Sequence, residues 1–424
     1  MTCRKCAIGS GQGKHNSGSA GGLRRRSNEW DVLEVKILVV NGGSSSFKCW
    51  FHELVEPLPA AAPRPLWQKQ VPWRGEQLDR LLAPVLEELW SGAHPVVRGP
   101  GEIEAIGHRI VHGGVYRATT RLVPEVRATI AHQAEFAPAH NRFELEAIQA
   151  VDSLLGLHVP QFAVFDTAFH ATLEEAAYVY PVPYAWLGEG VRRYGFHGIS
   201  YQYAARRAAQ MLGVSASDSL RLIICHLGNG CSMAAVRDGR SVDTTMGFTP
   251  LEGLAMGTRS GSIDPGILIY LQRHRGWSAD QLDEVLNRES GLKGISGLSG
   301  DMREVLAAAA DGNRRAQLAF DVYTHYVIRA AGGMLAVLGG ADALVFTGGV
   351  GEHTPALRER VAAHFAFLGL EVDAARDQAP TCDNDVSAPQ SKVRLLVIHA
   401  EEEWEIAREC YRAAKDQPES SGAR

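Results

Sequence analysis

Apolar residues recur along this chain with two periods. From Lys36 the run ILVV is continuous and apolar, meets the turn-forming NGGSSS and resumes as FKCWF, which predicts strand, tight loop and strand. The same plan returns at Leu222, where LIICHLGNG precedes CSMAAVRDGRSVD with an Asp-Gly hairpin turn at Asp238 and Gly239. The turns at Asn41 and Asn229 lie 188 residues apart, which predicts two similar halves. A third strand, ALVFT from Ala343, runs through GGVGE into a helix carrying Pro355 in its first turn. Between these, 3.6-residue spacing predicts helices over 77–89, 142–155, 201–211, 279–286, 321–338 and 402–414. Such alternation predicts α/β domains with ligands at glycine turns on the carboxyl ends of strands. The proline-rich stretch from Pro57 to Pro72 reads as a surface connection or an extended loop of the first domain.

Residues 1–34 do not share this texture. They are rich in Gly and Ser, lack apolar periodicity, and contain no acid before Glu29, so they read as a disordered extension or an upstream start, with Val35 as the alternative initiator. The 424 residues carry 43 basic and 48 acidic side chains for a net −5, which argues against a dedicated nucleic-acid binder. From Val35 onward 37 basic residues face 45 acidic ones, so any anion site must work against the sign of the body. The longest uncharged run, Leu222 to Val236, is shorter than the roughly 18 apolar residues a membrane helix needs. Seven scattered cysteines read as reduced thiols of a cytoplasmic enzyme.

Chemistry concentrates at the glycine turns. Glycines at strand ends let backbone amides approach phosphate oxygens, and Ser44, Ser45 and Ser46 add hydroxyl donors to the first turn. None of the turns fits GxGxxG, and GSGQGKHN lacks the first glycine and the Ser or Thr of a phosphate loop. With 16 histidines in the chain, a histidine outside these turns is ordinarily a core or surface residue.

NGGSSSFK (41–48), GHRIVHGG (107–114), APAHN (137–141), FDTAFH (165–170), RRYGFHGIS (192–200), CHLGNG (225–230), SVDTTMGFTPLEGLAMGTRSGSIDP (241–265), SGLSGDMR (296–303) and FTGGVGEH (346–353) together resemble the acetokinase family. The resemblance runs from about residue 36 to about residue 412. It implies two similar ATPase domains of the actin and sugar-kinase type around a nucleotide cleft. The first would span 35–165 with 400–424, the second 166–399. It also implies Mg2+-dependent, reversible phosphoryl transfer between ATP and acetate, with Mn2+ as an alternative metal, and a homodimer. An acetate carboxylate, with a pKa of about 4 to 5, is already ionised, so the task is to bring two anions together in line rather than to remove a proton.

By resemblance, Arg109 and Arg259 flank the acyl-phosphate site, and His197 and Arg259 steady the transferring phosphoryl group. Asp166 is the active-site acid, organising Mg2+ and its water. Val111, Phe196 and Pro250 line the acyl pocket, His140 and His226 are further phosphate-side donors, and Asn41 and Glu402 supply hard oxygens for the metal. Lys48, His226, Leu227, Gly228, Asn229 and Gly230 fall to the nucleotide, as do Asp301, Met302, Arg303, Gly349, Val350, Gly351, Glu352 and His353. The chain departs from the family pattern at several of these places. His353 stands for Asn, Tyr201 for a second His, Ser262 for Asp, and His399, Ala400 and Glu401 precede the acids, so the metal acid could fall at Glu401, Glu402 or Glu403. Ala139 stands for a pocket leucine, which predicts room for propionate. The competing class, a nucleotide-binding filament or chaperone module of the same fold, would not need Arg109, His140, His197 and Arg259 together.

Overall fold

The computed structural model describes residues 34–42, 46–73, 77–134, 141–215, 219–378 and 383–416. In the first half, β1 (Val35–Gly42), β2 (Ser46–Leu54) and β3 (Trp67–Pro72) precede β4 (Ala105–Ile110), β5 (Thr120–Arg121) and β6 (Gln161–Phe165). In the second, β7 (Arg221–Leu227), β8 (Cys231–Arg237) and β9 (Arg240–Thr244) precede β10 (Ala343–Thr347), β11 (Asn384–Asp385) and β12 (Arg394–Val397). The sheets are ordered β3-β2-β1-β4-β6-β5 and β11-β12-β10-β7-β8-β9. Read from opposite ends, these are one topology, with three antiparallel strands, two further strands parallel to the first, and a short antiparallel edge. The two halves expected from the repeated turn are therefore present strand for strand.

The central strands are almost entirely buried, as their unbroken apolar runs require of strands covered on both faces. On one side of the first sheet, helices Leu78–Ser91 and Asn141–Leu155 close a core with Leu38, Phe47 and Ile106. On the far side of the second sheet, helix Arg314–Leu338 covers Ile223, Met233 and Leu344. Between the sheets lie helices Gly198–Met211 and Glu402–Lys415, which share one core with Ile37, Val39, Ile224 and Val345. All six expected helices are found. Gly198–Met211 starts three residues early because His197, in a left-handed conformation (φ 58°), sets the turn into it.

One expectation fails. The proline-rich connection contains β3, paired antiparallel along β2, with residues alternately half-buried and exposed. As an edge strand it tolerates Pro72, and its polar WQKQVP sequence hides it from an apolar-run criterion. Among the described residues, no helix is long and apolar enough to cross a membrane.

Candidate active site

The chemistry-bearing residues gather at equivalent strand ends. Asn41, Arg109 and His226 are the penultimate residues of β1, β4 and β7, Asp166 follows β6, Gly348 follows β10, and Glu402 opens the helix after β12. This is the carboxyl-end rule met in both sheets.

On the side of the first sheet, Arg109 Nη2 donates to Asp166 Oδ2 at 2.7 Å and its Nη1 lies 3.9 Å from Glu402 Oε2. Burial opposes the charge on Arg109, but Asp166 and Glu402 outweigh it and the guanidinium is held ionised. Burial raises the Asp166 carboxyl above its ordinary range, with Arg109 opposing. For Glu402 the balance reverses: Arg109, His226 and Lys48 overcome burial and keep it ionised. The three candidate acids separate by face. Glu403 is buried and receives Lys48 at 2.8 Å and Asn41 Nδ2 at 3.1 Å, while burial pushes Glu401 up to about 6. Glu402 is the one turned toward Arg109 and His226. Lys48, assigned by motif to the nucleotide, is held by Glu403, and Glu403 and Glu402 outweigh burial to raise its pKa.

On the side of the second sheet, His197 and His226 stack with ring centroids 4.2 Å apart. His197 Nδ1 is 2.7 Å from Ser232 Oγ, and His226 Nδ1 is 2.8 Å from Ser200 Oγ. Burial lowers both pKa values, that of His197 well below 6.5 with His226, Arg109 and Arg259 adding to the effect, so these rings are neutral donors and acceptors. Gly230 joins them to Arg259: a Cβ there would stand 3.4 Å from Arg259 Nη1 and 3.5 Å from His197 Nε2. Arg259 is half-buried and donates to the Pro250 carbonyl at 3.1 Å, and no carboxylate pairs with it among the described residues. A largely desolvated cation without a counter-ion calls for an anionic ligand. Val111 and Phe196 share the buried cluster beside this point.

The nucleotide candidates divide. Gly228 and Asn229, the helix start Asp301, Met302 and Arg303, and Gly349, Val350 and His353 line one cavity of about 440 Å3. Leu227 is instead core, and Gly351 packs against Phe346. Glu352 faces inward: its Oε1 accepts from the amides of Gly348 and Ala400, and its Oε2 meets His399 Nδ1 at 2.5 Å. Gly348 must be glycine, since φ is 77° and a Cβ would meet the Leu227 carbonyl at 2.8 Å. Ser44, Ser45, Ala139 and His140 lie outside the described residues.

Motif reading missed several residues that build the site. Buried Glu144, pushed up to about 8 by burial, accepts from the Val111 amide at 3.1 Å. Asn141 clasps the backbone N–H and C=O of His112 at 3.0 and 2.9 Å. An acid on the apolar face of helix Asn141–Leu155 was the available sign of the first. Ser232 and Arg358 carried no such sign, and Tyr201 showed only as a departure from the family's second His.

The sequence profile of the acetokinase family matches residues 36–408. An acetate kinase from Gloeobacter violaceus is 50% identical over 401 residues, covering 89% of this chain and 99% of its own. The crystal structure of Porphyromonas gingivalis acetate kinase superposes with a TM-score of 0.79 at 36% identity, covering 89% of this chain and 99% of its own. That of a propionate kinase from Francisella tularensis gives 0.79 at 34% over the same shares.

Proposed function

The chain belongs to the acetokinase family, and we propose that it catalyses reversible phosphoryl transfer between ATP and acetate, giving ADP and acetyl phosphate. The observation that carries this reading is the half-buried, acid-free Arg259 converging with His197 on Gly230, opposite the Arg109, Asp166 and Glu402 cluster. In the forward direction a carboxylate oxygen bonds to the γ-phosphorus and the bond to the bridging ADP oxygen breaks, its electron pair leaving with ADP. No proton moves.

The side chains manage charge. Arg109 orients the carboxylate and Arg259 binds the equatorial oxygens of the transferring group, each through a planar fork. His197, neutral and donating through Nε2, adds a hydrogen bond that strengthens as charge develops. His226 supports it from the stacked position, and His140 belongs to the same phosphate side. Val111, Phe196 and Pro250 exclude water around the acyl methyl. Gly228, Asn229, Asp301–Arg303, Gly349, Val350 and His353 hold the nucleotide in the 440 Å3 cavity. Lys48 acts through Glu403 rather than on phosphate directly.

Among the described residues no three His, Cys, Asp or Glu side chains cluster as a metal cage. Mg2+ needs no such cage, because it commonly takes one or two protein carboxylates together with waters and substrate phosphates. The ionised Glu402, with Asn41 beside it and Asp166 behind Arg109, is a donor set of that kind. Mg2+, or Mn2+ in its place, would neutralise charge on the β- and γ-phosphates there.

We assign 35–165 with 400–424 to one domain and 166–399 to the other, and expect a cytoplasmic homodimer. Helix Pro265–Arg275 supports the dimer, as it has no buried residue and leaves Ile267, Ile269 and Tyr270 exposed.

The test is a hydroxylamine trap for acyl phosphate with Mg-ATP and a panel of acetate, propionate and butyrate. Arg259→Ala should lower kcat by about 100-fold or more while ATP binding persists; unchanged turnover refutes the assignment. Ala139 favours appreciable propionate turnover as a second reading, since each buried methylene is worth about 0.8 kcal/mol. Strong rejection of propionate removes it.

A further inference from the structure

We propose that Tyr201 is a positioning residue that, through Ser232, fixes the tautomer of His197 so that its Nε2–H faces the transferring phosphoryl group. The inference rests on the role given to His197 above. Tyr201 is fully buried on helix Gly198–Met211, one turn beyond His197, and its Oη lies 2.5 Å from Ser232 Oγ. Ser232, fully buried on β8, lies 2.7 Å from His197 Nδ1. The three polar groups form a line from the core outward, and its far edge, Cε1 and Nε2 of His197, faces the point beside Gly230 on which Arg259 Nη1 also converges.

The direction of the line follows from counting protons. A phenol and an aliphatic hydroxyl each have one proton to donate, and a neutral imidazole has one, on either nitrogen. If Nδ1 carried it, Nδ1–H would donate to Ser232, and then either Ser232 donates to Tyr201 and the phenolic proton needs another acceptor, or Tyr201 also donates to Ser232 and the serine proton needs one; among the described residues Ser232 Oγ meets only His197 and Tyr201. Among the described residues Tyr201 Oη has no hydrogen-bond partner besides Ser232. Around it stand the rings of Phe169 and His170, the latter already engaged through both nitrogens with Ser241 Oγ and the Phe196 carbonyl. An orphaned buried donor is costly, so the reverse order holds: Tyr201 donates to Ser232, Ser232 donates to Nδ1, and the imidazole proton sits on Nε2.

The consequence is catalytic and needs no proton transfer. A neutral His197 with its proton on Nδ1 would present a lone pair to an incoming phosphoryl oxygen and repel it. With the proton on Nε2 it presents a donor already aimed, at no cost of reorganisation during the reaction. Left-handed φ at His197 fixes where the ring leaves the backbone, and the hydroxyl pair fixes which nitrogen bears hydrogen. Neighbouring His226 has the same arrangement, with Ser200 at its Nδ1.

Imidazole-nitrogen NMR of histidine-labelled full-length protein, assigned with His197→Ala, reads the tautomer directly. Wild type should show His197 protonated on Nε2. Tyr201→Phe keeps the ring that packs the core, and should shift His197 toward a mixed or Nδ1–H population. It should lower kcat about tenfold, with KM for ATP and acetate unchanged. Ser232→Ala should behave likewise and Ser232→Thr, which keeps the hydroxyl, should restore both readouts. An unaltered tautomer in Tyr201→Phe and in Ser232→Ala overturns the inference. So does a shifted tautomer with full kcat while His197→Ala is inactive. Full activity in His197→Ala instead removes the role of His197 itself, and the inference with it.

Discussion

Replacing Arg358 with Met tests whether the third glycine turn is held from behind. The guanidinium is fully buried and makes four bonds: to Asp377 Oδ1 at 2.6 Å, to the Asp377 carbonyl at 3.1 Å, and to the carbonyls of Gly351 and Glu352 at 2.6 and 2.9 Å. Met retains an apolar stem of similar length but leaves a buried carboxylate without its cation. Breaking a buried ion pair from one side costs about 3–5 kcal/mol. Burial raises the Asp377 carboxyl despite Arg358, so protonation limits the loss and about 4 kcal/mol is the fair figure. With an unfolding entropy of about 2.1 cal/mol/K per residue over about 390 residues, that loss lowers Tm by about 5 °C.

The same substitution frees the turn. Gly349 and Val350 line the 440 Å3 cavity proposed for the nucleotide, and the two carbonyls held by Arg358 follow directly. KM for ATP should rise about tenfold, the loss of roughly one charge-assisted bond, with KM for acetate unchanged. Arg358→Met/Asp377→Leu separates the two effects: removing both charges should recover most of the Tm while KM for ATP stays high. Calorimetry and ATP titration of the two variants are sufficient. A Tm drop under about 1 °C, or an unchanged KM for ATP in both variants, refutes the reasoning.

Gly230→Ala should fold normally, because its Cβ would make only ordinary contacts at 3.4–3.5 Å. It should lower kcat by about 100-fold by occupying the convergence of His197 and Arg259, and wild-type turnover would contradict that placement. The His399–Glu352 pair gives a pH prediction. Hydrogen bonding to Glu352 raises the His399 pKa, and His399 outweighs burial to lower that of Glu352. The His399 contribution to stability is therefore complete below its unfolded value of about 6.5 and fades as pH rises through the raised value. The Glu352 contribution is present above its unfolded value and fades as pH falls through the lowered one. The Tm difference between wild type and His399→Gln should be largest between the two shifted values and shrink on both sides; a difference constant with pH excludes the link.

The sequence carried the repeated turn, the central strands and the six periodic helices, because continuous burial and 3.6-residue spacing are written locally. Three kinds of information were not local. Polar β3 is a strand only because β2 offers it an edge. Glu402 and Glu403 are adjacent, and one helical step of about 100° turns the first toward Arg109 and the second toward Lys48, which motif matching cannot tell apart. Glu352 fell within a nucleotide motif, yet its carboxylate is spent on backbone amides and His399. In each instance the missing knowledge was the identity of a partner that local pattern does not name.

The duplication also bears on how the proposed site draws on both halves. Each half ends its sheet with a helix, Gly198–Met211 after β6 and Glu402–Lys415 after β12. The two are exchanged: the helix that follows the first sheet packs on β7 and β10, and the helix that follows the second packs on β1 and β4. His197 thus comes from the first half of the chain but is held by Ser232 and His226 of the second sheet. Glu402 comes from the second half and faces Arg109 of the first sheet, beside the Lys48–Glu403–Asn41 cluster. A fold in which each half kept its own helix would place these groups on the sheet that made them. Exchange instead sets His197 of the first half against the second sheet and Glu402 of the second half against the first, so neither half alone contains the full set of groups proposed above to balance charge.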